Sequence, residues 1–142
     1  MLRPECGREL RIETTALCAA VSQSASLNRL LLRYVHVQFV QTAQTAFANA
    51  CYTLDVRLAR WLLMCQDRLD GDELQITHEF ISIMLGVRRP STTLAVQALE
   101  GQRLIRARRG RIMILEREAL TALADDSYGL PEAEYARLIE GA

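Results

Sequence analysis

The sequence predicts a mainly α-helical fold with a small β-wing, in which a long helix precedes a winged helix-turn-helix domain. Three features of the 142 residues predict it. Residues 26–51 contain neither proline nor glycine, residues 76–100 form a helix–glycine–helix pattern, and an arginine-rich segment follows at 104–115. We divide the chain into three parts, namely residues 1–24, the helix 25–51 and the domain 52–142.

For the first part of the chain, the sequence predicts little structure that would be stable by itself. Residues 7–13 alternate apolar and polar side chains, which is typical of one short strand, and residues 15–21 are compatible with a small helix. A lone strand has no sheet to join. We therefore expect this end to be weakly ordered or to pair across a dimer.

The long helix is apolar around most of its circumference. About 26 helical residues would extend roughly 39 Å, and a helix with apolar residues on nearly all sides must be covered on several of them. Arg29, Arg33 and His36 interrupt the apolar run and exclude a membrane span. We expect a second copy of the chain to cover one face, and we interpret His36 as a satisfied residue of that interface. The apolar positions include Leu27, Leu30, Leu31, Tyr34, Val35, Val37, Phe39, Val40, Ala43, Ala46 and Phe47.

The helix-turn-helix pattern has a local reason at each point. The Thr77 hydroxyl can cap the first helix, and Gly86 lies where a chain that turns sharply favours positive φ. Pro90 suits the first turn of the second helix, where its missing N–H costs nothing. The predicted apolar stripe of the first helix is Phe80, Ile81, Met84 and Leu85, and the inward face of the second is Thr92, Ala95, Val96 and Leu99. The residues free to point outward are Arg88, Arg89, Ser91, Thr93 and Gln97.

Charge is segregated along a chain with no net charge. Residues 86–115 hold seven arginines and one acid, whereas residues 116–142 hold two basic and seven acidic residues. Such segregation gives a basic surface for phosphates beside an acidic one. All 17 basic residues are arginine, which suits bidentate contacts with guanine and phosphate but is equally expected of a GC-rich genome.

Residues 54–129 resemble the C-terminal region of the Crp/Fnr family of transcription regulators. The resemblance is carried by Arg57-Leu58-Ala59-Arg60-Trp61-Leu62-Leu63, Leu85-Gly86-Val87-Arg88-Arg89-Pro90-Ser91, Ala98-Leu99-Glu100-Gly101, Leu104-Ile105 and Gly110-Arg111-Ile112. It implies a dimer formed through helix 25–51, with double-stranded DNA as ligand and RNA polymerase as a candidate partner. It also implies that residues 1–24 are the end of a β-roll sensor domain whose cyclic-nucleotide cassette is missing. The sequence would then be a fragment, a chain with a misassigned start or a natural short form.

The resemblance assigns roles to single residues. In the family, the arginine matching Arg89 contacts a base edge and the hydroxyl residue matching Ser91 contacts phosphate. Pro90 and Leu94 stand where the family's best-known members have an acid and a further arginine, so a different target sequence is expected. His78 could meet phosphate or only water, while the wing arginines are expected on phosphates. The predicted DNA-binding residues are Thr77, His78, Arg88, Arg89, Ser91, Thr93, Arg108, Arg109 and Arg111.

Other classes of protein are not supported by the sequence. There is no glycine-rich phosphate loop, H-E-x-x-H or nucleophile elbow, so we predict neither an enzyme nor a cofactor. The four cysteines form no C-x-x-C pair, we expect no metal, and we interpret Cys51 and Cys65 as buried packing residues. Residues 1–20 do not resemble a signal peptide, so we expect a cytoplasmic protein with reduced cysteines.

Two functions from different classes remain open. The chain is either a dimeric, sequence-specific DNA-binding regulator of transcription, or an interaction module whose long helix pairs with full-length relatives and alters their activity. The DNA-facing residues do not discriminate between them, because the two differ in the partner of the long helix.

Overall fold

The computed structural model describes residues 10–141 of the chain. It confirms the predicted fold class, since the chain is mostly helical with a small three-stranded antiparallel sheet. The helices are α1 (Thr14–Gln23), α2 (Ala25–Cys51), α3 (Leu54–Gln66), α4 (His78–Leu85), α5 (Arg89–Gly101), α6 (Arg117–Ala124) and α7 (Leu130–Tyr135). The strands are β1 (Glu73–Leu74), β2 (Ile105–Arg108) and β3 (Arg111–Ile114), and short 3₁₀ and π turns occupy Asp125–Ser127 and Ala136–Glu140.

The start of the described chain differs in part from the prediction. Helix α1 confirms the small helix expected over residues 15–21. Residues 10–13, part of the strand expected over residues 7–13, form no strand within the single chain and precede α1 without pairing to the described sheet, while pairing across a dimer stays a prediction. Alternation alone could not form a strand there, because a strand needs a partner. The rest of that prediction, residues 7–9, lies outside the described residues.

Helix α2 is as long as predicted and is covered on one side by the end of its own chain. The Ser24 hydroxyl caps it by accepting a hydrogen bond from the Leu27 N–H at 3.2 Å. Only Val37 and Ala48 are buried along its 27 residues. The residues after α6, which we call the tail (125–140), run along the Val37 side of α2.

Polar contacts hold the tail on α2. The Gln44 amide donates to the Asp126 carbonyl at 3.0 Å, and His36 Nε2 lies 3.2 Å from Glu134 Oε1. The pKa of Glu134 is lowered, first by its hydrogen bond with Arg137 and also by its bond with His36. His36 thus has a partner within its own chain, where the sequence suggested an interface between copies.

The hydrophobic core lies between α3, α4, α5, α6 and the inner face of the sheet. Trp61 lies in this core, as predicted, with its ring edge-to-face on Phe80 at a centroid distance of 5.8 Å. This contact joins α3 to the first helix of the helix-turn-helix. The side chains that are wholly buried in this core include Leu58, Leu62, Leu63, Leu74, Ile81, Leu99 and Leu120.

Two arginines of α3 make structural contacts within the chain. Arg57 Nη2 donates to the carbonyl of Leu85, and so places a cation on a carbonyl at the C-terminal end of α4. Arg60 is only 4 % exposed, and its Nε donates to the Ser127 carbonyl at 2.8 Å. Burial lowers the pKa of Arg60. Arg60 therefore attaches the start of the tail to the core.

The far end of α3 is joined to α6 and the tail by one carboxylate. Asp67 accepts from Arg117 Nη2 at 2.7 Å and from the Tyr128 hydroxyl at 2.6 Å. Burial, and then the hydrogen bond to Asp67, raise the pKa of Tyr128 to about 12. The phenol thus stays protonated and bound to Asp67 throughout the physiological pH range.

The two cysteines expected to be buried differ from each other. Cys51 is exposed, so that prediction is wrong: α2 ends there, at the edge of the molecule. Cys65 packs against the core, and burial raises the pKa of its thiol to about 11. Within residues 10–141, no His, Cys, Asp and Glu side chains cluster in a way that could hold a metal ion. No helix of the same residues is both long and apolar enough to cross a membrane.

Candidate nucleic-acid interface

The first helix of the helix-turn-helix begins and ends where the sequence predicts. Thr77 Oγ1 accepts from the Phe80 N–H at 3.2 Å. After α4, Gly86 adopts φ 65°, and the N–H groups of Gly86 and Val87 donate to carbonyls of the last turn. Glycine adopts this conformation without steric cost. The predicted apolar stripe is correct for Ile81 and Leu85, whereas Met84 is half exposed.

The second helix begins at Arg89. Arg88 has extended dihedral angles (φ −74°, ψ 145°) and is the N-cap, so only one of the two adjacent arginines lies within the helix. Pro90 occupies the first turn, as predicted. The predicted inward face is confirmed, because Thr92, Ala95, Val96 and Leu99 are all at most 3 % exposed.

The wing is a hairpin of β2 and β3 with a two-residue loop. Arg108 pairs with Arg111, which leaves Arg109 and Gly110 as the loop. Gly110 adopts φ 73°. The second loop position of such a turn requires positive φ, which glycine adopts most readily. Strand β1 was not predicted from the sequence, and its two residues pair with Met113 and Ile112 of β3.

A carboxylate holds the wing against α5. Glu100 Oε1 accepts from the Ala107 N–H of β2 at 2.7 Å. A hydrogen bond to a charged acceptor is stronger than one between neutral groups. Glu100 is the only acidic residue of the arginine-rich segment 86–115, and its role is structural because it joins the wing to α5.

Between α4, α5 and the wing lies a groove with a volume of about 790 Å³, which we call the helix–wing groove. Six of the nine predicted DNA-binding residues line it. Gln97 and Glu100 also line it, although the predicted set did not include them. The six are Thr77, His78, Arg89, Thr93, Arg108 and Arg109.

A chain of polar contacts crosses this groove. His78 Nδ1 lies 3.3 Å from Thr93 Oγ1, and that hydroxyl donates to the Arg89 carbonyl at 3.2 Å. His78 is half-buried and has a protein partner, which neither alternative of the sequence analysis had included. These contacts fix the start of α4 relative to the start of α5.

The other three predicted residues lie outside the groove. Arg88 is exposed and Ser91 is half-buried at the N-terminal end of α5. Arg111 lies on the outer face of the wing, where its Nη1 is 3.1 Å from Glu73 Oε1.

The outer face of the wing carries an arginine that the sequence analysis missed. Burial alternates along β2, so Arg106 and Arg108 share the exposed face with Arg111. The alternation of Ile105, Arg106, Ala107 and Arg108 was the available signal. Together with these three, Arg88, Arg89, Arg103 and Arg109 are also exposed, so all seven arginines of residues 86–115 reach solvent.

A known protein family matches the part of the chain that forms the helix–wing groove. The family model described as a Crp-like helix-turn-helix domain matches residues 56–123. Those residues are a Crp-like helix-turn-helix domain. The Crp-like domain begins within α3 and ends within α6, and it includes both helices of the motif, the wing and every residue of the buried core except Ala124. The resemblance stated from the sequence is confirmed.

Solved structures share this fold. A transcriptional regulator of the Crp/Fnr family from Eubacterium rectale matches 75 % of this chain at 26 % identity and a TM-score of 0.59. Two regulators of the same family from Thermus thermophilus match 74 % and 66 % of it, at 20 % and 23 % identity and TM-scores of 0.65 and 0.58. The chain spans about half the length of these proteins, between 49 % and 57 %. No curated protein sequence matches it.

Proposed function

We propose that this chain is a sequence-specific DNA-binding transcription regulator of the Crp/Fnr type, which acts on DNA as a dimer. The observation that carries the proposal is the helix–wing groove, where the first turns of α4 and α5 and the tip of the wing converge. The fold matches Crp/Fnr regulators over about three quarters of the chain. We also propose a cytoplasmic location, because the regulators that share this fold are bacterial and bacterial DNA lies in the cytoplasm.

In the proposed complex, α5 enters the major groove with its N-terminal end first. Arg89 contacts base edges, because it is exposed at the first position of the helix and its planar fork fits guanine. The DNA backbone next to these bases is contacted by two groups of residues. One group lies at the same end of α5 and consists of Arg88 and Ser91. The other lies in the helix–wing groove and consists of Thr77, His78 and Thr93. The wing residues Arg108, Arg109 and Arg111 bind phosphates and supply affinity without sequence preference.

Selection from random duplexes by the full chain tests the proposal. A dimer presents two α5 helices to successive turns of the major groove, roughly 34–36 Å apart. We expect enrichment of a two-fold symmetric sequence whose half-sites are centred about 10 base pairs apart. Enrichment of no sequence at physiological salt, where binding through phosphates alone is weak, would contradict the proposal.

The dimer is proposed from the face of α2 that lies opposite the tail. Large apolar side chains are exposed there, notably Phe39 (72 %), Val35 (63 %) and Leu32 (62 %). With 3.6 residues per turn, these positions form one stripe on the side opposite Val37 and Ala48. Contiguous exposed apolar residues of this kind mark protein interfaces. The stripe consists of Leu32, Val35, Phe39, Ala43 and Ala46, all exposed.

We expect light scattering to give a dimer at micromolar concentration for the native chain and a monomer for the double variant Val35→Glu, Phe39→Glu. Two charges on the stripe would have to be buried without partners, which is strongly unfavourable. Leu130→Glu is the matched control, since Leu130 is also 62 % exposed but lies on α7. A native chain that remains monomeric would contradict the proposed homodimer. If it nevertheless dimerised with a full-length relative, the interaction-module alternative would be favoured.

A substitution in the wing tests the phosphate contacts. Arg109→Ala should weaken binding to selected and random duplexes by similar factors, and reduce the slope of log K against log salt by about 0.9. Arg111→Ala should have a smaller effect on affinity, because Arg111 is already paired with Glu73. The control is Arg11→Ala, an exposed arginine outside the Crp-like domain. A change in the preferred sequence with an unchanged slope would contradict the assignment.

A further inference from the structure

A second set of side chains on α5 faces outward beyond Arg89. Pro90, Leu94 and Gln97 are exposed and lie on the side of α5 opposite its buried face. Their spacing of four and three residues keeps them on one side of a helix. A recognition helix can contact bases along about two turns, so Leu94 and Gln97 lie within reach of base edges if α5 docks as proposed above.

Gln97 has the chemistry to distinguish one base. It lines the helix–wing groove together with Arg89 and Thr93, at intervals of four residues along α5. A glutamine amide offers a donor and an acceptor side by side. In the major groove this pair matches adenine, whose N6 amino group donates and whose N7 accepts.

Leu94 complements this contact. Its side chain is 67 % exposed, although apolar, and it precedes Gln97 by three residues. Residues at this spacing are neighbours on the helix surface, with Cβ atoms about 5–6 Å apart. The thymine paired with an adenine exposes its C5 methyl group in the same groove, and apolar side chains contact that group.

We propose that Leu94 and Gln97 together recognise an A·T base pair in each half-site, with Gln97 bidentate to adenine and Leu94 on a thymine methyl. This inference rests on the proposed DNA-binding function and adds a specificity determinant to it. Eight residues separate Gln97 from Arg89, which is about 12 Å along the helix. At about 3.4 Å per base pair, the A·T pair lies at most three to four base pairs from the guanine contacted by Arg89.

Selection from random duplexes with the full chain and its Gln97 variants tests the inference. For Gln97→Ala, we expect the preference for A·T at that position to fall by about 5- to 150-fold, with the guanine preference unchanged. Gln97→Glu should shift the preference toward cytosine, because a carboxylate accepts from its N4 amino group. Leu94→Ala should reduce the preference for thymine on the opposite strand. Gln102→Ala is the matched control, since Gln102 is exposed just after α5 ends.

The possible outcomes separate this inference from the proposed function. If Gln97→Ala and Gln97→Glu both select the native motif, the inference is wrong while DNA binding stands. If the native chain selects no motif, the proposed function fails and the inference fails with it. Gln97 is exposed, so the variants should melt at the native temperature. A shift toward cytosine for Gln97→Glu would support the contact even if the alanine variant bound too weakly to be analysed.

Discussion

Arg89→Ala is expected to remove the preference for one guanine in each half-site while leaving the rest of the selected motif intact. Arg89 is the first residue of α5, is exposed, and lines the helix–wing groove. Its carbonyl accepts from Thr93, which fixes the backbone from which the guanidinium extends. A bidentate arginine–guanine pair contributes about 1–3 kcal/mol of discrimination. Selection from random duplexes measures the loss directly as base frequencies at that position.

Arg88→Ala is the matched control for this experiment. The two arginines are adjacent, equally charged and both exposed, but Arg88 is the N-cap, with an extended backbone, and lies outside the groove. We expect its loss to weaken all sequences alike and to lower the salt slope by about 0.9, as for one phosphate contact. If Arg89→Ala retained the native motif and Arg88→Ala altered it, α5 would dock differently from our proposal.

Leu99→Ala is expected to lower the free energy of unfolding by about 2–5 kcal/mol. Leu99 is wholly buried in the core that joins α5 to α3 and the sheet. Its removal loses transfer free energy and leaves a cavity that the surrounding side chains only partly fill. Urea denaturation followed by circular dichroism measures the change. Because α5 depends on this core, DNA binding should also be lost at temperatures where the variant is unfolded.

Leu94→Ala is the control on the same helix. Leu94 has the same side chain and the same helical environment, but it is 67 % exposed. We expect its substitution to change the free energy of unfolding by less than about 0.5 kcal/mol, as for most surface positions. Similar losses for the two variants would contradict the assignment of inward and outward faces of α5.

The helix-turn-helix could be predicted in detail because each of its determinants is local. The Thr77 cap lies three residues from its donor, and Gly86 meets a steric requirement of its own backbone. The inward face of α5 follows from helical periodicity, and all four predicted positions are buried. The pattern did not specify which residue caps α5, and the structure shows that Arg88 does so with an extended backbone.

The DNA-binding set was predicted from the motif and the resemblance, and six of its nine residues line one groove. Glu100 and Gln97 were left out because their significance depends on the neighbouring wing. In sequence, Glu100 is only an acid within a basic segment, and its role appears once β2 lies against α5. The nine residues remain a proposal for DNA contact.

By itself, the sequence determined the extent of the long helix, the turn of the motif and the position of the basic segment. These depend on residues close together in the chain, where spacing and residue type are sufficient. The tertiary structure alone decided which arginines are structural, since Arg60 is buried against Ser127 while Arg89 reaches solvent. It also decided which face of α2 the tail covers and that β1 completes the sheet. Those outcomes depend on contacts between residues 38 to 98 positions apart, such as Glu73 with Arg111 and His36 with Glu134, whose geometry local patterns do not encode.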